Sequence, residues 1–192
     1  MEEKKQFRTA KLICIIGTNG TGKTTMLQTF ANAELERNGR VLIITPHDTE
    51  WNKFNNVPIP YLKDFKTFEG IGKVHFTDDL KLLKTIEQTF EKGLLVLDDS
   101  SYFIKPNIDR AFKQILISRR QMSCDVIVSA HSLADIPPSV FFYDPTFILK
   151  RTTSSFESRK KNINADLYQR LLEAQSRINK NKNNYYYELI KS

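Results

Sequence analysis

Residues 13–27 read ICIIGTNGTGKTTML, and this stretch limits the fold more tightly than any other. Gly17-Thr18-Asn19-Gly20-Thr21-Gly22-Lys23-Thr24 fits the phosphate-loop pattern GxxxxGK[ST] at every fixed position. The chemistry asks for each part. Glycines let the backbone turn tightly, so that successive N–H groups point inward at phosphate oxygens. A helix opening near Gly22 adds the positive end of its dipole. Lys23 supplies a mobile charge to the β- and γ-phosphates. The Thr24 hydroxyl is placed to hold Mg²⁺, and Thr25 completes the set of candidate nucleotide contacts. The loop works only between a strand and a helix. The apolar run before Gly17 and the helical spacing after Lys23 meet that condition, so ATP with Mg²⁺ is the expected ligand.

The rest of the chain repeats that alternation. Continuous apolar runs at 11–17, 41–45, 94–100, 125–131 and 146–150 predict buried strands. Helices are predicted over 23–37, ended by Gly39, and over 77–93, with Thr77, Asp78 or Asp79 as the cap. Others are predicted over 107–122 and over 164–178, where Asn164 is the cap. Residues 47–72 hold prolines and glycines that argue against one long element. They predict an irregular insertion with a short helix near 61–68, followed by a short strand at 73–76. Residues 185–190 predict a last strand. Strands alternating with helices predict an α/β fold, a mostly parallel sheet with helices on both faces. The division is an N-terminal arm at 1–10, an ATPase core at 11–150, and a basic C-terminal helix with a possible terminal strand at 151–192.

The chain has 192 residues and a net charge of +7. Residues 150–182 hold nine basic and three acidic side chains, and so carry +6 of that charge. Such a cluster predicts either an anionic partner or a solvated helix face in a Lys-rich chain. Tyr185, Tyr186 and Tyr187 fit an edge strand or stacking on bases. Two cysteines, Cys14 and Cys124, lack metal-ligand spacing and are expected as buried thiols. His47 and His75 likewise show no ligand spacing. With no apolar span of membrane length and no secretory signal, the expectation is a cytoplasmic protein, in host cytoplasm or virion if viral.

Three further groups are candidates for chemistry. LLVLDD, residues 94–99, places two acids at a strand's carboxyl end, where parallel strands share an edge with the loop. Asp98 is the expected Mg²⁺ partner, through water, and Asp99 the group that polarises the attacking water. An Asp-Asp cap on the following turn is the simpler alternative. His131 ends the 125–131 strand. It would face the γ-phosphate if that strand lies between the first and third, or else be an ordinary polar strand end. Arg119 and Arg120 close the preceding helix. They suit a finger on a transferring phosphoryl group, or favourable charge at a helix C-terminus.

The order of parts, and above all SRRQMSCDVIVSAHSLADIPPSV at 118–140, resembles the FtsK–HerA class of P-loop ATPases. The likeness is to small viral genome-packaging ATPases of poxvirus type and to Zot-type phage assembly ATPases, over residues 10–150. One departure is His131, where that class usually carries Gln. The resemblance implies a RecA-like (ASCE) core with strand order 5-1-4-3-2 and ATP hydrolysis. It also implies a homo-oligomeric ring, hexamer or pentamer, that translocates double-stranded DNA, with a capsid or portal-like partner. A site between subunits would take its arginine, Arg119 or Arg120, from the neighbour. Two other readings stay open: a helicase-loader-like AAA+ ATPase, and a nucleotide or nucleoside kinase with a basic lid at 151–161.

Overall fold

The computed structural model describes residues 10–46, 51, 57–58, 68–75 and 80–192. Eight strands form one sheet: β1 (Leu12–Ile16), β2 (Arg40–Thr45), β3 (Val57–Pro58), β4 (Ile71–His75), β5 (Gly93–Leu97), β6 (Cys124–Ala130), β7 (Thr146–Lys150) and β8 (Tyr187–Lys191). Among the described residues four α-helices accompany them: α1 (Lys23–Leu35), α2 (Leu80–Thr89), α3 (Pro106–Ser118) and α4 (Ala165–Lys180). The sheet order is β3-β4-β2-β5-β6-β1-β7-β8. Every pairing is parallel except β7 with β8. The five expected apolar strands occupy the centre as 5-1-4-3-2. The full order differs by three added edge strands: β4 and β3 beyond β2, and antiparallel β8 beyond β7. The short helix expected near 61–68, the caps Thr77, Asp78 and Asp79, and His47 lie outside the described residues, apart from Phe68.

Alternation along the strands sorts side chains into two layers. Leu12, Cys14 and Ile16 of β1, with Leu42 and Ile44 of β2, join a large cluster that takes in Ile86, Phe112, Ile115, Leu171 and Ile178 from α2, α3 and α4. Ile15, Val41 and Ile43 point the other way, against Leu27 and Ala31 of α1 and the buried Trp51. Helices therefore cover both faces, one against three. Strands buried on both sides read as unbroken apolar runs, which is why they stand out in the sequence. Each buried aliphatic side chain contributes about 1.5–3 kcal/mol relative to exposure.

Local chemistry sets the ends. Pro106 opens α3, where its missing N–H costs nothing. The Asn164 side chain accepts the Leu167 N–H at 2.8 Å and starts α4 as predicted. Both cysteines are free and buried, and burial pushes the Cys14 thiol far above its ordinary range. Tyr168, Leu171, Ala174 and Ile178 of α4 and Ile190 of β8 belong to the large core cluster, so the C-terminal elements are built into the sheet's own core.

Gly93 opens β5 opposite Arg40. A Cβ there would lie 2.6 Å from the Arg40 carbonyl oxygen and 2.8 Å from the Phe90 ring. Gly93→Ala is therefore expected to destabilise by about 1–3 kcal/mol, measured by chemical denaturation. An unchanged midpoint would contradict the packing described.

Candidate functional site

The site is built where β1 ends. Gly17 N–H donates to the Ala130 carbonyl of β6 at 3.1 Å, and Thr18 N–H to the Arg151 carbonyl beyond β7 at 2.9 Å. The first two loop amides thus anchor the loop to both neighbouring strands, and the anion cradle starts after them. Gly20 and Gly22 adopt φ of +75° and +79°, conformations that favour glycine, and Gly22 leads directly into α1. The Thr21 hydroxyl donates to the Thr18 carbonyl at 2.7 Å and closes the turn. Thr24 sits in the first turn of α1, half-buried, with Thr25 exposed beside it and Asn19 exposed at the loop's tip.

Lys23 folds back across this loop. Its ammonium donates to the Gly17 carbonyl at 2.7 Å and to the Thr18 carbonyl at 3.3 Å. The His131 Nδ1 lies 3.3 Å away. Facing an ammonium, Nδ1 acts as the acceptor, which puts the imidazole proton on Nε2. That nitrogen faces Asp99 Oδ2 at 3.8 Å. His131 therefore stands between Lys23 and Asp99, just past the end of a strand flanked by β1 and β5.

The two carboxylates differ. Asp98 is buried, and both its oxygens accept hydrogen bonds: Oδ1 from the Ser129 hydroxyl at 2.7 Å, Oδ2 from the Trp51 indole N–H at 2.9 Å. Asp99 has φ of +55°, a left-handed conformation that Asp tolerates better than most residues. Its N–H donates to Ser129 Oγ at 3.0 Å, and its Oδ1 accepts the Ser101 hydroxyl at 2.7 Å. The bend turns the second acid toward His131 while the first stays packed. Mg²⁺ is commonly held by one or two carboxylates with substrate phosphates and waters. The Thr24 hydroxyl and the Asp98 carboxyl group, oriented by two donors, fit that donor set.

Arg119 and Arg120 do not join this group. α3 runs antiparallel to β6, so its end lies at the start of that strand, where Cys124 N–H meets the Arg119 carbonyl at 2.9 Å. His131 follows the far end of a seven-residue strand, about 20 Å away at ~3.3 Å per residue. Within one chain the arginines are at the opposite edge of the sheet from the loop. Arg119 is buried: it donates to the Ala10 carbonyl at 3.1 Å and to the Leu116 carbonyl, and it lies over the Tyr143 ring. Burial lowers its pKa. Arg120 is exposed. Both line a cavity of about 480 Å³ with Lys11, Ile117, Phe142 and Tyr143.

Several members of the basic cluster are already engaged within the chain, although Lys160, Lys161, Arg177, Lys180 and Lys182 are exposed. Arg177 makes a forked pair with Glu188, down to 2.6 Å, which lowers the Glu188 pKa. Arg170 pairs with Asp166 at 2.8 Å, and Lys160 with Glu157 at 3.5 Å. Arg159 donates to the Ala134 and Ile136 carbonyls at 2.5 and 3.0 Å. Arg151 donates to Asn184 Oδ1 at 2.5 Å and to the Asn181 carbonyl. Lys150 is buried, donating to the Thr21 carbonyl at 2.9 Å beneath the Tyr187 ring, and desolvation lowers its pKa.

Sequence reasoning missed Trp51, Ser129, Lys150 and Arg151. Ser129 and Lys150 carried a signal, as the polar members of the apolar runs DVIVSA and TFILK. Trp51, in an irregular insertion, carried none.

A Cβ on Gly17 would lie 2.7 Å from both Lys150 Cβ and Thr21 Oγ1. Gly17→Ala is expected to push the loop off β7 and weaken nucleotide binding by about 10- to 100-fold, read by titration calorimetry. Binding equal to wild type would contradict the close approach. Ser129→Ala strips a donor from the buried Asp98 and an acceptor from the Asp99 N–H. It is expected to cost about 1–3 kcal/mol of stability by denaturation; no change would sink that accounting.

No family model matches the sequence, and no curated relative is found by sequence comparison. Solved structures do match. The genome packaging NTPase B204 from Sulfolobus turreted icosahedral virus 2, in complex with AMPPCP, aligns with a TM-score of 0.71 at 20% identity, over 95% of this chain and 92% of that one. The DNA-packaging ATPase B204 from Sulfolobus turreted icosahedral virus gives 0.72 at 19% identity, over 95% and 92%. The pCW3 conjugation coupling protein TcpA gives 0.57 at 11% identity, over 78% of this chain and 51% of that one. At these identities the likeness concerns the fold. The fold class read in the sequence holds at that level: this chain shares the α/β fold of these solved structures, a mostly parallel sheet with helices on both faces.

Proposed function

We propose that this chain is an ATP-hydrolysing motor that moves double-stranded DNA, of the kind that packages a viral genome. The observation that carries the proposal is convergence. The loop, Lys23, Asp98, Asp99 and His131 meet at one edge of the sheet, on the fold of packaging ATPases. The chain spans nearly the whole length of B204, whose structures hold AMPPCP and ATP-gammaS.

In this reading the loop amides and the α1 N-terminus hold the β- and γ-phosphates. Lys23 leaves the Gly17 and Thr18 carbonyls and turns to phosphate oxygen. Thr24 and Asp98 would hold Mg²⁺, which would offset the negative charge of the phosphates. Asp99 orients and polarises the attacking water. His131, freed from Lys23, senses the γ-phosphate and passes its presence to Asp99. Transition-state charge calls for a further cation. Arg120, exposed at the far edge, suits delivery from a neighbouring subunit in a ring. Arg119 acts as its support, since its guanidinium is held by Ala10, Leu116 and Tyr143. DNA then follows the ring's interior, and a capsid or portal-like protein receives it.

The kinase reading asks for a mobile lid and is supported less well. Phe156 is in the core and Arg159 donates to two carbonyls, anchors that a mobile lid at 151–161 would have to give up. Nothing observed favours the helicase-loader reading. Among the described residues, no helix is long and apolar enough to cross a membrane.

Lys23→Ala is expected to lower ATPase activity by at least about 100-fold with the fold intact by circular dichroism. Double-stranded DNA is expected to raise the wild-type rate. A rate indifferent to DNA would reject the motor. An Arg120→Ala chain mixed with a Lys23→Ala chain is expected to regain activity, because each supplies what the other lacks. No recovery at any ratio would reject delivery between subunits.

A further inference from the structure

Asp98, Asp99 and His131 all lie on one side of the phosphate loop. β1 leads into the loop, β6 is its neighbour and β5 comes next. Asp98 and Asp99 follow β5, and His131 follows β6. The reacting end of a bound triphosphate therefore points toward β5. At ~4.8 Å per strand, the end of β5 is about two strand spacings from the end of β1. The nucleoside end must leave in the opposite direction, toward β7 and β8.

On that side the loop meets an aromatic ring. Tyr185 lies against Gly22, its Cδ1 3.0 Å from the place a Cβ on Gly22 would take and its Cε1 3.4 Å away. The residue is 66% exposed, so most of its ring is in solvent beside the N-terminus of α1. Its position is built. Tyr185 N–H donates to Asn183 Oδ1 at 2.9 Å, and Asn183 N–H to Asn181 Oδ1 at 2.9 Å. Arg151 grips the same turn through Asn184 and the Asn181 carbonyl, while its own carbonyl accepts the Thr18 N–H of the loop. The two following tyrosines are engaged otherwise. Tyr187 covers the Lys150 ammonium, and the Tyr186 hydroxyl reaches Glu188 at 3.5 Å.

We propose that Tyr185 is the platform on which the base of the bound nucleotide stacks. This rests on the nucleotide-site reading above and adds the group that recognises the nucleoside. Stacking uses the π-face that every base has, so the contact adds affinity for a nucleotide over a bare polyphosphate. It also explains why an exposed tyrosine stands at the loop on a turn of three asparagines braced by Arg151.

The test compares two ligands on the full chain by titration calorimetry: ATP and inorganic tripolyphosphate, which carries the phosphates without a base. Wild type is expected to bind ATP more tightly. Tyr185→Ala is expected to weaken ATP by about 5- to 150-fold and leave tripolyphosphate within about 2-fold. Tyr185→Phe is expected to keep ATP affinity. Tyr185→Leu covers the loop without a π-face and is expected to behave like Ala, which guards against an alanine variant that misfolds. Equal loss for both ligands would overturn the proposal and make Tyr185 a support of the loop. No loss for ATP in the Ala and Leu variants would overturn it too. If wild type binds neither ligand, the nucleotide-site reading itself fails. If it binds tripolyphosphate as tightly as ATP, that reading survives and stacking alone is rejected.

Discussion

The geometry of this molecule depends on one constraint: β1 is held between two parallel neighbours. Its register against β6 and β7 continues past the last strand residue, so that Gly17 and Thr18 bond to carbonyls on either side. A loop with three glycines in six positions has much freedom to lose. Pinning its base at two points leaves only the tip to order around a ligand. Because the strands run parallel, the same register that fixes the loop also brings the ends of β5 and β6 to its side. Asp98, Asp99 and His131 reach the site by no other agency.

The central architecture was legible because of burial on both faces. Strands covered on both sides appear as unbroken apolar runs, and such runs are hard to mistake when helices separate them. The edges were harder. β3 is two residues long, and β8, YELIK, is largely exposed along its length. The first is too short to show a pattern, and the second, read as a possible last strand, lacks the two-sided burial of the central ones. The site divided in the same way. Lys23, Thr24 and Asp98 belong to motifs whose spacing is local. Trp51 meets Asp98 across 47 positions and Lys150 meets Thr21 across 129, and no local pattern records either contact.

Charge was the least legible property. The run from 150 to 182 looks like one positive face when read along the chain. In three dimensions its members serve different ends: Lys150 and Arg151 brace the loop, Arg159 caps carbonyls, and Arg170 and Arg177 pair with acids. Any contact with a polyanion must be made by fewer of these side chains than the sequence count implies. The paired arginines Arg119 and Arg120 separate for a similar reason. Successive residues at a helix end face different ways, so one is locked inside and the other projects.

The chain has a single tryptophan. Its indole N–H ends on the buried carboxylate of Asp98. Indole emission responds to the charge and hydration around the ring, and here those are set by Asp98. The protein therefore carries its own optical reporter, with no other tryptophan to obscure it. Each event that alters the carboxylate's surroundings leaves a trace in the fluorescence of the unlabelled chain.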